Sequence, residues 1–406
     1  MAKQAKFFKN SGDGRNICLI ILTLPVFFAP GAFCDSQTLY TYKQQFSGVD
    51  LAEKAQVLED AAFDKALGEY AGQLYEYALQ FALDNSELLK NDPDMIKIAG
   101  IAVDGLGNTG YSESVTSLWE LFLEYPDSAV GAETLITLGK LGKGNRYIID
   151  NINNYLLEKT LLYTSGESVN YAMISTCITA ILELGDSSSY PALFAVMCAG
   201  YPEIITFEAY GAFELIPGNF IQFLLDVIEK NPPAEKFTAL KAGINSERLN
   251  LPERGQLAEF ALEQGLMSYN DARNADLSDM RYAAVSALIP LRWTRAGALA
   301  VRHYYLVQAD FQRDAVSKEH FIEAITLMGA VGDSEAALAL GLQLGLINAR
   351  TERTGEFDAE ITLAIVQALG LIGDNAAFDH LLYIGNLPYP EYIKAAAKEA
   401  IDRLKW

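Results

Sequence analysis

Ala368-Leu369-Gly370-Leu371-Ile372-Gly373-Asp374 decides the fold, because the chain repeats the phrase with variations. Leu327-Met328-Gly329-Ala330-Val331-Gly332-Asp333 stands 41 residues earlier, and looser copies read Leu138-Gly139-Lys140-Leu141-Gly142 and Ile181-Leu182-Glu183-Leu184-Gly185-Asp186. Self-similarity at a period of a few tens of residues marks a stack of similar supersecondary units. Each part of the phrase has a mechanical role. An apolar run at helical spacing ends in Gly, which can take the left-handed conformation that closes a helix. The Asp that follows can accept hydrogen bonds from the first free amides of the next helix. Gly-Asp therefore predicts a helix stop and a helix start, and the unit is an antiparallel helix hairpin. The inner glycines Gly139, Gly329 and Gly370 lie inside the last turn of the first helix, where each costs about 1 kcal/mol against Ala. Close approach of a neighbouring helix would offset that cost.

Helical periodicity extends outward from these turns over nearly all of residues 51–405, with no convincing alternating strand pattern. An Ala- and Tyr-rich entry pair spans Leu51–Leu89. Hairpins are then expected around Gly107-Asn108, Gly142, Gly185-Asp186, Pro217-Gly218-Asn219, a longer loop after Ile244, Arg292-Trp293-Thr294, Gly332-Asp333 and Gly373-Asp374. Residues 390–404 read as a terminal helix that caps the stack.

Asp279-Met280-Arg281-Tyr282-Ala283-Ala284-Val285-Ser286-Ala287-Leu288 is similar to the Asp-x-Val-Arg-x-x-Ala-x-x-Ala-Leu helix of the HEAT-repeat family, and the turn at 368–374 is similar to that family's Ala-Leu-Gly-x-Ile-Gly-Asp. Pro93-Asp94 and Pro126-Asp127 stand where such repeats often begin. The resemblance is to the short bacterial HEAT repeats related to phycobilin-lyase-type proteins. It is good over 94–200 and 316–405 and weak over 201–315, where Gly-Asp turns are missing. Tetratricopeptide repeats fit less well: their period is a fixed 34 residues, whereas the spacings Gly107 to Gly142, Gly142 to Gly185 and Gly332 to Gly373 are 35, 43 and 41. The expected fold is all-α, an α-solenoid of about nine antiparallel HEAT-like hairpins with the capping helix at its end.

The 406 residues carry 31 Lys and Arg against 52 Asp and Glu, a formal charge of −21. Residues 1–34 read as a secretory signal: Lys3, Lys6, Lys9 and Arg15 precede an apolar run from Ile17 to Ala29, with Gly31 and Ala32 after it. This 13-residue run is short of the roughly 20 residues needed to span a bilayer. Cleavage is expected after Cys34, with residues 35–50 a linker and 51–406 the solenoid. In a lipid-anchored form Cys34 would be the modified residue, but Phe33 is large where such sites carry a small side chain. No later stretch reads as transmembrane. The mature chain would hold 27 basic and 51 acidic side chains, a charge of −24. Such a surface repels phosphate backbones and anionic headgroups, which argues against a nucleic-acid partner. Cys177 and Cys198 lie symmetrically about the Asp186–Ser189 turn, so an exported form makes them a candidate disulfide; two buried free thiols are the alternative.

No residue set names a reaction, a metal or a cofactor. His303, His320 and His380 have no second His or Cys at ligand spacing. Gly139–Asn145 only superficially resembles a phosphate loop, since Thr134 stands where the first glycine should be. The most unusual local feature is Arg292, Trp293 and Arg295 in a hairpin turn, with Arg302 and His303 two turns on, a candidate partner-binding cluster because Arg and Trp dominate binding hot spots. Ser268–Asn274 and Thr351–Glu356 are candidate specificity loops. The expected function is an exported periplasmic or envelope scaffold that binds a protein or peptide along a concave helical surface without catalysis. The alternative is an enzyme or enzyme-accessory protein with a ligand pocket on the same scaffold, as the phycobilin-lyase resemblance implies.

Overall fold

The computed structural model describes residues 31–267 and 275–405, with side chains from Ser36 onward. It is 83% helical with 21 helices, and the described residues form no strand. In chain order these are α1 (Gly31–Gly48), α2 (Leu51–Phe63), α3 (Ala71–Asp84), α4 (Ser86–Leu89), α5 (Pro93–Thr109), α6 (Val115–Glu124) and α7 (Ala129–Leu141). The middle contributes α8 (Arg146–Thr164), α9 (Tyr171–Leu184), α10 (Tyr190–Cys198), α11 (Glu203–Leu215), α12 (Phe220–Lys230), α13 (Pro233–Asn245) and α14 (Leu251–Met267). The last third comprises α15 (Ala275–Leu291), α16 (Gly297–Phe311), α17 (Lys318–Val331), α18 (Ser334–Thr354), α19 (Ala359–Ile372), α20 (Phe378–Tyr383) and α21 (Glu391–Asp402).

The helices form two layers of an α-solenoid. An A layer runs α2, α5, α7, α9, α11 and on through the odd-numbered helices to α21, and a B layer runs α3, α6, α8 and on through the even-numbered ones to α20. All substantial packing joins helices at most three apart in sequence, so the core is one continuous sandwich built by neighbours. A helices pack on successive A helices more extensively than B helices pack on B. The A layer is therefore the more tightly packed of the two, and the face it turns away from the B layer is its inner face.

Glycine makes the A layer tight. A Cβ placed on Gly139 of α7 would lie 2.9 Å from Ala180 Cα of α9. One on Gly329 of α17 would lie 2.7 Å from Ala368 Cα of α19, and one on Gly370 of α19 would lie 3.0 Å from Ala400 Cα of α21. The inner glycine of the repeated phrase is thus the point where one A helix touches the backbone of the next.

The Gly-Asp turn is more varied than its sequence suggests. Gly185 and Gly373 take the left-handed conformation, with φ of 64° and 71°. Gly332 instead leaves its helix extended, at φ −73° and ψ 163°. Gly107 does not end a helix at all: α5 continues to Thr109 and Gly110 closes it at φ 70°. Asp333 caps α18 directly through the Glu335 amide. Asp186 and Asp374 cap single 3-10 turns, Ser187–Ser189 and Asn375–Ala377, that precede the B helix. Three residues rising about 2 Å each carry the chain roughly 6 Å onward before the B helix starts. Each B helix, with or without such a turn before it, packs mainly on the A helix of the following unit rather than on its own hairpin partner, a correction to the simple hairpin picture.

Three further expectations change or land. Of residues 35–50, read as a linker, 35–48 lie within α1, which buries Leu39 and Phe46 and packs against α2 and α3, and Asp50 caps α2. The terminal helix is present as α21, entered from Pro390 and packed on α19 and α20. Of the expected leader, residues 1–30 lie outside the described residues, as does the expected loop Ser268–Asn274. Among the described residues no helix is long and apolar enough to cross a membrane.

The weakly matching stretch is where the stack steps. A-to-A packing lapses between α11 and α13, and α13 is instead held by α12 and α10. No left-handed glycine closes α11. Its last carbonyls are capped from a distance by Arg248, which donates to Ile216 O at 2.8 Å, Phe213 O at 3.4 Å and Tyr190 Oη at 3.1 Å. The guanidinium also lies 4.6 Å from the Phe220 ring centre. Arg254 extends the clamp through Leu249 O at 3.0 Å.

Candidate partner-binding surface

The cluster at 292–303 does not assemble into one patch. Trp293 is half-buried against Gly255 of α14, where an added Cβ would lie 2.5 Å from the indole, and its Nε1 donates to Glu259 at 2.7 Å. Arg295 pairs with the same carboxylate at 3.4 Å and sits 5.6 Å from the Trp293 ring centre. Trp293 therefore plugs the turn. Arg292 is exposed at a positive φ of 48°. Arg302 is exposed on α16, but His303, the next residue, points into the core and is 0% exposed. Burial, then the nearby Arg281 and His320, push its imidazole down to about 3. Neither of its nitrogens finds a hydrogen-bond partner among the described residues. His303 is a neutral core residue and not part of a surface.

Cys177 and Cys198 are both free thiols. Cys177 is buried in the core from α9, and its burial raises the thiol far above its ordinary range. Cys198 ends α10 and faces α13, where Glu235 and Thr238 lie; burial, then Glu235, push it up to about 11. The displaced B helix separates the two: α10 packs on α11 and α8 rather than on α9, so symmetry about the turn does not bring the sulfurs together. Thr351–Glu356, expected as a loop, is mostly helix: α18 continues through Thr354, Gly355 caps it at φ 72° and Arg350 pairs with Glu356 at 2.8 Å. Among the described residues no cluster of His, Cys, Asp or Glu could hold a metal ion.

The surface that stands out is the inner face of the A layer. Its solvent positions on α7 and α9 are mostly polar or small, as at Glu133, Lys140, Thr179 and Glu183. On α11 the corresponding line is Ile204, Phe207, Gly211 and Leu215, with Ile204 67%, Phe207 74% and Leu215 70% exposed. Gly211 has no atom near its missing Cβ, so the line is open along its length. The opposite face of α11 buries Ile205, Ala209, Ala212 and Phe213. A helix apolar on both sides has more to bury than its own fold covers. Sequence reading passed over this face because the helix looked like an ordinary core element. The available signal was apolar residues at both phases, Ile204 beside Ile205 and Phe207 beside the Ala209–Phe213 stripe.

Toward the N-terminal end of the same layer, a groove of about 920 Å³ opens between α2, the 3-10 turn after it, and α5. Glu59, Asp64, Asp104 and Glu133 line it, with Lys65 among them and Ile101 and Tyr75 in its wall. Lys97 pairs with Glu59 at 2.9 Å, so the other three carboxylates dominate the field. The inner face therefore presents an acidic groove and an apolar ridge, separated by α7 and α9. No protein-family model matches this chain, and no curated protein matches it.

Proposed function

We propose that the protein is an exported scaffold that holds a segment of another protein along the inner face of its A layer, and that it carries out no reaction of its own. The observation that carries this reading is the α11 ridge: three large apolar side chains, each about two thirds to three quarters exposed, in line across an open glycine. Exposed apolar patches rimmed by polar groups mark interaction sites. The acidic groove on α2 and α5 supports a partner that is basic there and apolar at α11. At 8–10 Å per helix, the path from α5 to α11 is roughly 25–30 Å, the length of a helix of about 17–20 residues. A net charge of −21 and carboxylates in the groove favour a cationic polypeptide over a nucleic acid. The basic residues before the apolar run at 17–29 support export. The HEAT resemblance supports the same use of the inner surface.

The test is site-specific photo-crosslinking in the native cells, with the reactive side chain at Phe207, at Asp104 and, on the B layer, at Glu158. The same polypeptide should be captured from positions 207 and 104 and not from 158. Different adducts at 207 and 104, or no adduct at either, would remove the proposal.

A further inference from the structure

The B layer carries a second unpartnered face. α18 is a 21-residue helix, and one narrow stripe of it reads Glu335, Leu338, Leu342, Leu346, Ala349, Arg353, all exposed. These positions fall within one quadrant of the helix at 3.6 residues per turn. Leu338, Leu342 and Leu346 are 55%, 64% and 69% exposed. Other B helices expose leucines too, Leu123 of α6, Leu157 and Leu161 of α8 and Leu382 of α20, but among the described residues α18 alone sets three in one line, and the outward positions of α12 are Gln222, Asp226 and Glu229. Tyr305 on α16 and Leu382 on α20, 48% and 53% exposed, lie on the flanking B helices. The stripe has an acid at its N-terminal end and a base at its C-terminal end. The helix dipole alone favours that placement of charge, but it gives no reason for three leucines between.

We propose that this face binds a second copy of the chain, with the two α18 helices antiparallel about a two-fold axis near position 344. That register sets Leu342 against Leu346 of the other copy, twice, and Leu338 against the Ala349 end. It also sets Glu335 against Arg353 at both ends of the seam. The stripe is thus complementary to itself when reversed, which an isologous interface requires. A parallel pairing would place like charges together. The apolar face is on the order of 500 Å², at the upper end for a single monomer patch and below the roughly 800 Å² per partner of a stable complex. The dimer is accordingly reversible and dissociates on dilution.

Sedimentation velocity on the full chain, over a low- to high-micromolar series, tests this. The expected result is a sedimentation coefficient that rises with concentration. Leu342→Glu should lower the association constant about tenfold or more while leaving the circular-dichroism melt unchanged, since the side chain is exposed. Glu335→Arg and Arg353→Glu should each weaken association, and an equimolar mixture of the two should regain it, because both ends of the mixed seam then pair Arg with Glu. A chain that stays monomeric throughout, a dimer insensitive to Leu342→Glu, or a mixture no better than either variant would overturn the proposal. So would a monomer whose capture by phosphatidylglycerol vesicles is lost in Leu342→Glu, which would make the face a membrane contact.

Discussion

Gly329→Ala should destabilise the protein, although Ala is the better helix former. The exchange gains at most about 1 kcal/mol of helix propensity. Against this, the new Cβ would lie 2.7 Å from Ala368 Cα, 2.9 Å from its Cβ and 3.4 Å from its carbonyl oxygen. None of these atoms is the end of a flexible side chain, so α17 and α19 must part by several tenths of an ångström. Overpacking of this kind costs about 1–3 kcal/mol, and backbone targets place it in the upper part of that range. The net loss is about 1–2 kcal/mol. Gly211→Ala is the matched control. It also lies inside an A helix, but nothing lies within 4 Å of its Cβ position, so it should gain about 0.5–1 kcal/mol. Urea unfolding followed by far-ultraviolet circular dichroism reads both, and hydrogen exchange should show the Gly329→Ala loss first in α17 and α19. A Gly329→Ala midpoint equal to or above that of Gly211→Ala would refute backbone contact through the A-layer glycines.

Three further outcomes follow from named contacts. Arg248→Ala should lower stability by about 2–3 kcal/mol, because charged hydrogen bonds to the Ile216 and Phe213 carbonyls are lost and those groups stay partly buried; Arg248→Lys should recover little, since an ammonium cannot reproduce the fork, and thermal melts of the two variants check both. His303 is neutral in the fold with a pKa near 3 against an ordinary 6.5, so the unfolded chain binds a proton that the folded chain refuses. Stability is therefore full above about pH 6.5 and falls by about 1.4 kcal/mol per unit as pH drops toward 3; His303→Leu should flatten that part of the pH–stability curve, and an unchanged slope would count against a buried neutral imidazole. Peptide mapping under non-reducing conditions should find Cys177 and Cys198 unlinked.

The helices and their stacking order were legible because the repeated phrase encodes two local events, a glycine stop and a carboxylate cap, that need no tertiary context. What the phrase could not show was which helix each glycine touches: Gly139, Gly329 and Gly370 mark contact between A helices, and only the stack reveals that. Gly107 misled because Gly110 supplies a better stop three residues on. The α1 helix was hidden by its low apolar content, which leaves Leu39 and Phe46 to anchor it. His303 looked like surface because its neighbours Arg302 and Tyr305 are, yet one residue is 100° of rotation on a helix and moves a side chain from solvent to core. The α11 ridge was hidden for the converse reason: an apolar residue in a helix reads as core until the packing leaves it uncovered.

Small-angle scattering of the full chain, extrapolated to infinite dilution, tests the stack most directly. A compact domain of this length has a radius of gyration of about 22 Å. An A layer running from α2 to α21, with roughly nine spacings of 8–10 Å, predicts about 25–30 Å and a pair-distance distribution with a long tail. A value at the compact limit with a symmetric distribution would contradict the solenoid and, with it, the inner face on which the proposed function rests.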